Sequence, residues 1–221
     1  MRIGVLISGG GTNLQALIDL CRDTDIPAEI VLVLSNVADA YGLQRAENGS
    51  IPTQVIDHKG YDGRKPFDQA MIAALDGANV DLVCLAGFMR LLTPAFIRQY
   101  AQRLINIHPS LLPAFPGLHV QQKAIDAGVR FSGATVHFVD EGMDTGPIIA
   151  QGVVPILPGD DEDALAARIL KQEHRLYPMA VRLFAENRVR IVGGRVEISD
   201  CRAEPDAALI NPHLPNLNQE K

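Results

Sequence analysis

The sequence predicts one α/β domain built on a mainly parallel sheet. Short apolar runs without polar alternation recur through its first half, as in strands buried on both faces. Each run is followed by a stretch with helical spacing, so right-handed crossovers place helices against the sheet. Beyond Gly128 the rhythm changes to two adjacent strands that share a turn, which extends the sheet in antiparallel fashion. The expected fold is a single Rossmann-like domain with antiparallel strands towards the C-terminus.

The first strand is Arg2–Ser8. It runs into Ser8-Gly9-Gly10-Gly11-Thr12-Asn13 and then a helix whose face is set by Leu14, Leu17, Ile18 and Cys21. Glu29–Leu34 is the second strand, Tyr41–Asn48 a short helix ending near Gly49, and Thr53–Ile56 the third strand. A polar loop spans His58–Arg64, and Pro66 opens a helix through Leu75. Val80–Ala86 is the fourth strand; Gly87–Leu92 leaves it and Pro94 opens the next helix. The fifth strand starts at Leu104 and ends near His108, because prolines 109, 113 and 116 cannot continue a central strand. His119–Ala127 suits a helix closed by Gly128. Gly133–Val139 and Ile148–Ile156 are the antiparallel pair. Asp160–Asn187 is a long helix with acids in its first turn and a kink expected at Pro178. Arg188–Ser199 reads as a hairpin around Gly193-Gly194. The domain is expected to span residues 1–200, with a polar, mobile tail over 201–221.

At 221 residues the chain can bury a substantial core. A net charge of −6 without a long basic run argues against nucleic acid or anionic membranes as main partners. Three scattered cysteines and no Cys-x-x-Cys argue against a disulfide framework or thiolate zinc site and fit a reducing compartment. The N-terminus lacks the features of a signal peptide, and its strand is too short to span a bilayer. A cytoplasmic protein is expected, its oligomeric state, monomer or homodimer, left open.

Leu104 to Pro147 carries the chemistry. Residues two apart on a strand point the same way, so Asn106 and His108 face one side where the strand gives way to a loop. Open α/β sheets bind ligands at that edge. Asp144 lies in a distant Gly-rich turn, and a carboxylate beside an imidazole orients the ring and favours its charged form. A cation and an amide donor together suit an oxygen gaining negative charge. The plain alternatives are a satisfied strand-end histidine, a turn-forming aspartate and a loop amide. Ser110 is two residues from His108 without a nucleophile elbow, so a serine triad is not expected. His119 and His137 share no helix face with His108; core or surface roles are expected for both, and no metal site.

The Gly-rich turn after the first strand has the layout of a phosphate cradle, with backbone N–H groups at a helix N-terminus. A tight turn binding nothing is the alternative. The dinucleotide fingerprint fails, because the third glycine position is Leu14 and the second strand ends in Ser35-Asn36 without an acid for a ribose. A bulky residue at Gly11 is expected to block a phosphate while sparing other ligands. Arg64, ahead of its helix, could clamp a carboxylate, and Glu173 beside Lys171 and His174 reads on its own as a solvated face.

The Asn106-x-His108-Pro-Ser-Leu-Leu-Pro113 run, with a distant Asp144-x-Gly-Pro-Ile148, resembles the folate-dependent formyltransferases. Phe115-Pro116-Gly117 and Gly133–His137 are similar to the branch that formylates glycinamide ribonucleotide in purine synthesis. The resemblance covers Met1 to about Asn187. It implies 10-formyltetrahydrofolate as co-substrate, small-molecule partners only and no metal. It implies catalysis by Asn106, His108 and Asp144. Gly11, Thr12 and Asn13 would hold the nucleotide's phosphate, with Leu170, Lys171, Gln172 and Glu173 on its ribose and glycinamide part. Arg64 would meet the glutamate tail of the folate. Met89, Arg90, Leu91 and Leu92, together with Asn106 and the loop Asp140, Glu141, Gly142, Met143 and Asp144, would line its pteridine pocket. The added domains of the methionyl-tRNA and hydrolase branches are not expected here. The alternative within the family is a formyltetrahydrofolate hydrolase or another formyltransferase.

Overall fold

The computed structural model describes residues 1–23, 25–201, 209 and 211. Nine strands and six helices follow in chain order among them: β1 (Arg2–Ile7), α1 (Thr12–Cys21), β2 (Glu29–Ser35), α2 (Tyr41–Asn48), β3 (Thr53–Val55), α3 (Arg64–Gly77), β4 (Leu82–Leu85), α4 (Pro94–Gln99), β5 (Leu104–His108), α5 (Val120–Asp126), β6 (Phe131–Phe138), β7 (Ile148–Pro155), α6 (Glu162–Ala185), β8 (Val189–Val192) and β9 (Arg195–Ile198). A 3₁₀ turn at His58–Gly60 precedes α3.

Seven strands form one sheet in the order β3-β2-β1-β4-β5-β6-β7. β1 to β5 run parallel, β6 is antiparallel to β5, and β7 is antiparallel to β6. The expected fold class holds, including the antiparallel extension and the separate β8–β9 hairpin. Strand order reverses between β1 and β4. That is the switch point at which a crevice opens beyond the carboxyl ends of parallel strands.

Strand alternation sorts the core into two layers. Ile3, Val5 and Ile7 of β1, Leu82 and Cys84 of β4, and Ile105 and Ile107 of β5 pack with the apolar faces of α1, α2 and α6. Leu6, Val83, Leu85 and Leu104 point the other way, against Phe67, Met71 and Leu75 of α3 and Phe96 of α4. Gly4 has no side chain because α3 leaves no room: a Cβ there would lie 2.6 Å from a methyl of Leu75. On the α6 side, the Tyr177 hydroxyl donates to the Leu85 and Ile105 carbonyls at 2.9 and 3.2 Å, tying the helix to β4 and β5.

Most boundaries differ from expectation by one or two residues. Arg64 opens α3 rather than ending a loop, and Pro66 sits in the first turn, where its missing N–H breaks no bond. β4 is shorter than the apolar run Val80–Ala86. α6 is continuous with Pro178 inside it, and it buries the stripe Leu165, Ile169, Tyr177 and Val181. The tail expected from residue 201 onward lies outside the described residues, apart from residues 201, 209 and 211. The Asn211 amide donates to the carbonyls of Arg130 and Ile156.

Candidate active site

β5 places Asn106 and His108 on one face, opposite the α6 layer that takes Ile105 and Ile107. β6 lies antiparallel beside it with Asn106 opposite His137 and His108 opposite Thr135. Directly opposed residues share a face, so four polar side chains gather on the edge of an otherwise apolar sheet. Thr135 is absorbed by structure: its hydroxyl donates to the Ser110 carbonyl and accepts from the Leu112 N–H and the Gln151 amide. Ser110 is fully buried and its hydroxyl donates to Ala114 O, in keeping with the absence of a serine nucleophile.

The turn after β6 delivers the carboxylate. Asp144 has φ 57°, in the left-handed region that Asp tolerates better than most residues. Asp140 stiffens the turn by accepting the Gly142 N–H at 3.0 Å and the Thr145 hydroxyl at 2.7 Å. Gly146 crosses so close to the Phe138 carbonyl that a Cβ there would overlap it. Asp144 thereby reaches between two imidazoles. Its Oδ2 is 3.6 Å from His108 Nδ1 and accepts the Gly117 N–H at 2.9 Å; its Oδ1 is 3.8 Å from His137 Nε2. Both imidazole distances are longer than hydrogen bonds.

The donor roles follow from the acceptors. His108 Nε2 faces the Phe115 carbonyl at 3.1 Å and must donate there. With Asp144 on its other nitrogen, His108 meets an acceptor at each end. His137 is different. Its Nδ1 donates to the Phe138 carbonyl at 2.8 Å, and burial pushes its imidazole below the usual range; that hydrogen bond and the Asp144 carboxylate pull only partly the other way. A neutral His137 presents a lone pair on Nε2, 3.3 Å from Asn106 Nδ2. The Asn106 amide is thus oriented with one N–H on His137 and the second directed elsewhere. Sequence reading assigned His137 to the core or surface; it is buried, and the β5–β6 register in addition sets it against Asn106, a contact the reading did not foresee. His119 is on the surface, 80% exposed, and 3.8 Å from Glu162. Among the described residues no group of three or more His, Cys, Asp or Glu side chains is placed to hold a metal.

The Gly-rich turn lines a hollow of about 240 Å³ at the switch point, bordered by Ser8–Asn13 from β1 and by Ala86, Gly87 and Met89 beyond β4. Gly11 has φ 68°, and its Cα packs on α2, where an added Cβ would come 2.5 Å from Gly42 Cα. The Gly11 substitution expected to act on a ligand alone would therefore also part α1 from α2. Gly10 has open space around it. For the phosphate expected from the sequence, Gly10→Val is expected to weaken binding by about tenfold, ~1.4 kcal/mol, while leaving the melting temperature unchanged. Gly11→Val is expected to lower both. Melting curves and nucleotide KM for the two variants check this.

Glu173 reaches Asn13 of the turn from α6. It is 7% exposed and accepts Asn13 Nδ2–H at 2.7 Å, so it is no part of a solvated face. Burial pushes its carboxyl above the usual range, against the pull of the Asn13 bond and of the nearby His108. Of the four α6 positions expected at a nucleotide, Glu173 is the one hydrogen-bonded to the turn; Leu170 and Gln172 are half-buried and Lys171 is exposed. A raised carboxyl pKa means the ionised form destabilises the fold, and this cost vanishes as pH falls and the group is protonated. Glu173→Gln keeps an acceptor for Asn13 and removes the charge. It is expected to raise the melting temperature at pH 8, by about 2–4 °C per kcal/mol gained, with the gain shrinking towards pH 4. Melting curves at both pH values check it; a gain that is equal at both, or absent, would count against a buried charge.

A second hollow of about 210 Å³ is lined by His58, Tyr61, Gly63, Arg64, Phe67 and Arg90. It brings Arg64 and Arg90 together, two cations around one small space. Met89 and Leu91 project into solvent near by, Leu92 packs on the α3–α4 core layer, and Glu141 is paired with Arg98 at 2.8 Å. Met143 is exposed and lies against Gly117.

The formyl transferase family model matches residues 1–181. The chain is 57% identical over 182 residues to the trifunctional purine biosynthetic protein adenosine-3 of Drosophila melanogaster, a match covering 81% of this chain and 14% of that protein. It is 47% identical over 191 residues to phosphoribosylglycinamide formyltransferase of Escherichia coli strain K12, covering 86% and 90% of the two chains. The crystal structure of glycinamide ribonucleotide transformylase 1 from Symbiobacterium toebii superposes with a TM-score of 0.88 at 52% identity, covering 90% of this chain and 93% of that one. On the extent of these matches, the chain belongs to the formyl transferase family, on its phosphoribosylglycinamide formyltransferase branch.

Proposed function

We propose that the chain transfers the formyl group of 10-formyltetrahydrofolate to the amine of glycinamide ribonucleotide by direct attack. The observation that carries this is the meeting of Asn106, His108, His137 and Asp144 at the end of β5. The amine nitrogen bonds to the formyl carbon and the carbonyl electrons move onto oxygen. Asn106 Nδ2–H stabilises that oxyanion, joined by His108 once its Nε2–H exchanges the Phe115 carbonyl for the substrate oxygen. Collapse breaks the bond to the folate nitrogen, which takes up the proton that the amine gives away. His108, held by Asp144, assists this transfer through water. Holding two substrates side by side lowers the barrier further.

Gly11, Thr12, Asn13 and Glu173 take the nucleotide, with residues 170–172 at its edge. Arg64 takes a folate carboxylate, and Met89–Leu92 with the 140–144 loop take the pteridine. The catalytic domain is residues 1–200, and the enzyme works in the cytoplasm as a monomer or homodimer, on small molecules without a metal. Delivery of the formyl group to water is the competing reading. The Gly-rich hollow, with Glu173 hydrogen-bonded to Asn13 of its turn, favours the transferase, because water needs no phosphate site. Folate absorbance followed with and without the glycinamide nucleotide decides: amine-dependent turnover is expected, and equal loss of formyl without the amine would establish the hydrolase.

A further inference from the structure

The segment between β4 and α4 exposes Met89 and Leu91, at 67% and 60%. Yet it is fastened at both ends by polar side chains to which the chemistry above gives no role, half-buried Ser8 at the entry and buried Asp68 at the exit. At its entry the Met89 N–H donates to Ser8 Oγ at 2.8 Å, and Ser8 in turn donates to Oδ1 of buried Asn36 at 2.6 Å. Asn36 Nδ2 lies 3.2 Å from Nδ1 of His58, which lines the Arg64–Arg90 hollow. At its exit the N–H and the hydroxyl of Thr93 both donate to Oδ2 of Asp68, at 2.6 and 2.7 Å. Asp68 is 1% exposed and sits one helical turn after Arg64 on α3.

The second oxygen of Asp68 is buried without a hydrogen-bond partner among the described residues. A carboxylate so placed costs stability relative to an apolar side chain of similar size. What it gives in return is position. Two short bonds to successive donors of Thr93 fix the end of the segment in place and in direction, and tie it to the helix that carries Arg64. We infer that Asp68 and the Ser8–Asn36 pair are positioning residues for the folate. They hold residues 87–93 in the binding conformation beforehand, so little ordering entropy is lost when the folate arrives. This rests on the proposed placement of the folate on Met89–Leu92.

Asp68→Ala removes the acceptor; Asp68→Asn keeps one oxygen for both Thr93 donors. Steady-state kinetics should show Asp68→Ala raising the folate KM at least about tenfold, with nucleotide KM and saturating kcat within about twofold. Asp68→Asn should recover most of the loss. Thr93→Val removes the hydroxyl's bond to the carboxylate and its cap on the Phe96 N–H of α4 while leaving the carboxylate, and should raise the folate KM selectively by about threefold to tenfold. Amide exchange on the wild-type enzyme tests the underlying placement: folate should protect residues 87–93. Protection with an unchanged folate KM in both Asp68→Ala and Thr93→Val overturns the positioning role alone. Absence of protection overturns the placement and the role together. Parallel rises in both KM values, or failure of all three variants to fold, would make Asp68 a structural residue only.

Discussion

His108→Ala is expected to lose about 10²–10⁴-fold of kcat, the usual span for a positioned acid–base group. Both KM values should stay within about threefold, because the interaction that matters is made with an oxygen whose charge develops only in the transition state. The structure gives reasons for the size. The ring is buried at the end of β5, one nitrogen on the Phe115 carbonyl and the other facing the Asp144 carboxylate. No other described side chain shares this position on the strand, and water admitted by the alanine would not be oriented. Asp144→Asn keeps the shape of the turn and an acceptor for the Gly117 N–H, so it isolates the charge. It should lose less than His108→Ala, and the double variant should lose far less than the product of the two single losses, since both residues act on one proton. Multiplicative losses in a four-protein kcat comparison would show that the pair does not work as a unit.

Much of this was readable from residues alone. Apolar runs marked the strands, and the prolines after His108 ended β5 where the structure ends it. Asn106 and His108 face one way because a strand alternates, a rule that needs no neighbour. His137 needed the neighbour. The run Gly133-Ala134-Thr135-Val136-His137-Phe138 already alternates, with Ala134, Val136 and Phe138 in the core and Thr135 and His137 opposite. Which of those two meets Asn106 depends on the β5–β6 register, set by the long connection between them, and local sequence does not encode it. Glu173 did leave a signal. Leu165, Ile169 and Glu173 are spaced by four along α6, which puts an acid on a buried stripe. Asp68 likewise follows Phe67 and precedes Met71 on the inner face of α3. Acids on apolar stripes were the cue in both cases, and they stand out once the stripe is traced rather than the charges.

Asn106→Ala should lose about 10²–10³-fold of kcat, the loss typical of removing one oxyanion donor. The prediction turns on how the amide is held. Asn106 is half-buried at the rim of the sheet, and one of its N–H groups points at Nε2 of His137, 3.3 Å away. His137 can accept there only while neutral, and burial keeps its imidazole below the usual range with its one proton on the Phe138 carbonyl. The remaining Asn106 N–H is the one available to a substrate oxygen. His137→Ala should therefore act through Asn106: the amide loses its anchor and swings, and kcat falls by about tenfold, as for a lost hydrogen bond of roughly 1.4 kcal/mol. In the Asn106→Ala background the same His137→Ala change should cost little, because there is no amide left to orient. The pH dependence separates this role from general disruption. Acid that protonates His137 turns its acceptor into a donor aimed at the Asn106 amide, so wild-type kcat should fall on the acid side, and His137→Ala should flatten that limb. If His137→Ala costs as much without Asn106 as with it, and the acid limb is unmoved, His137 serves the sheet and not the amide.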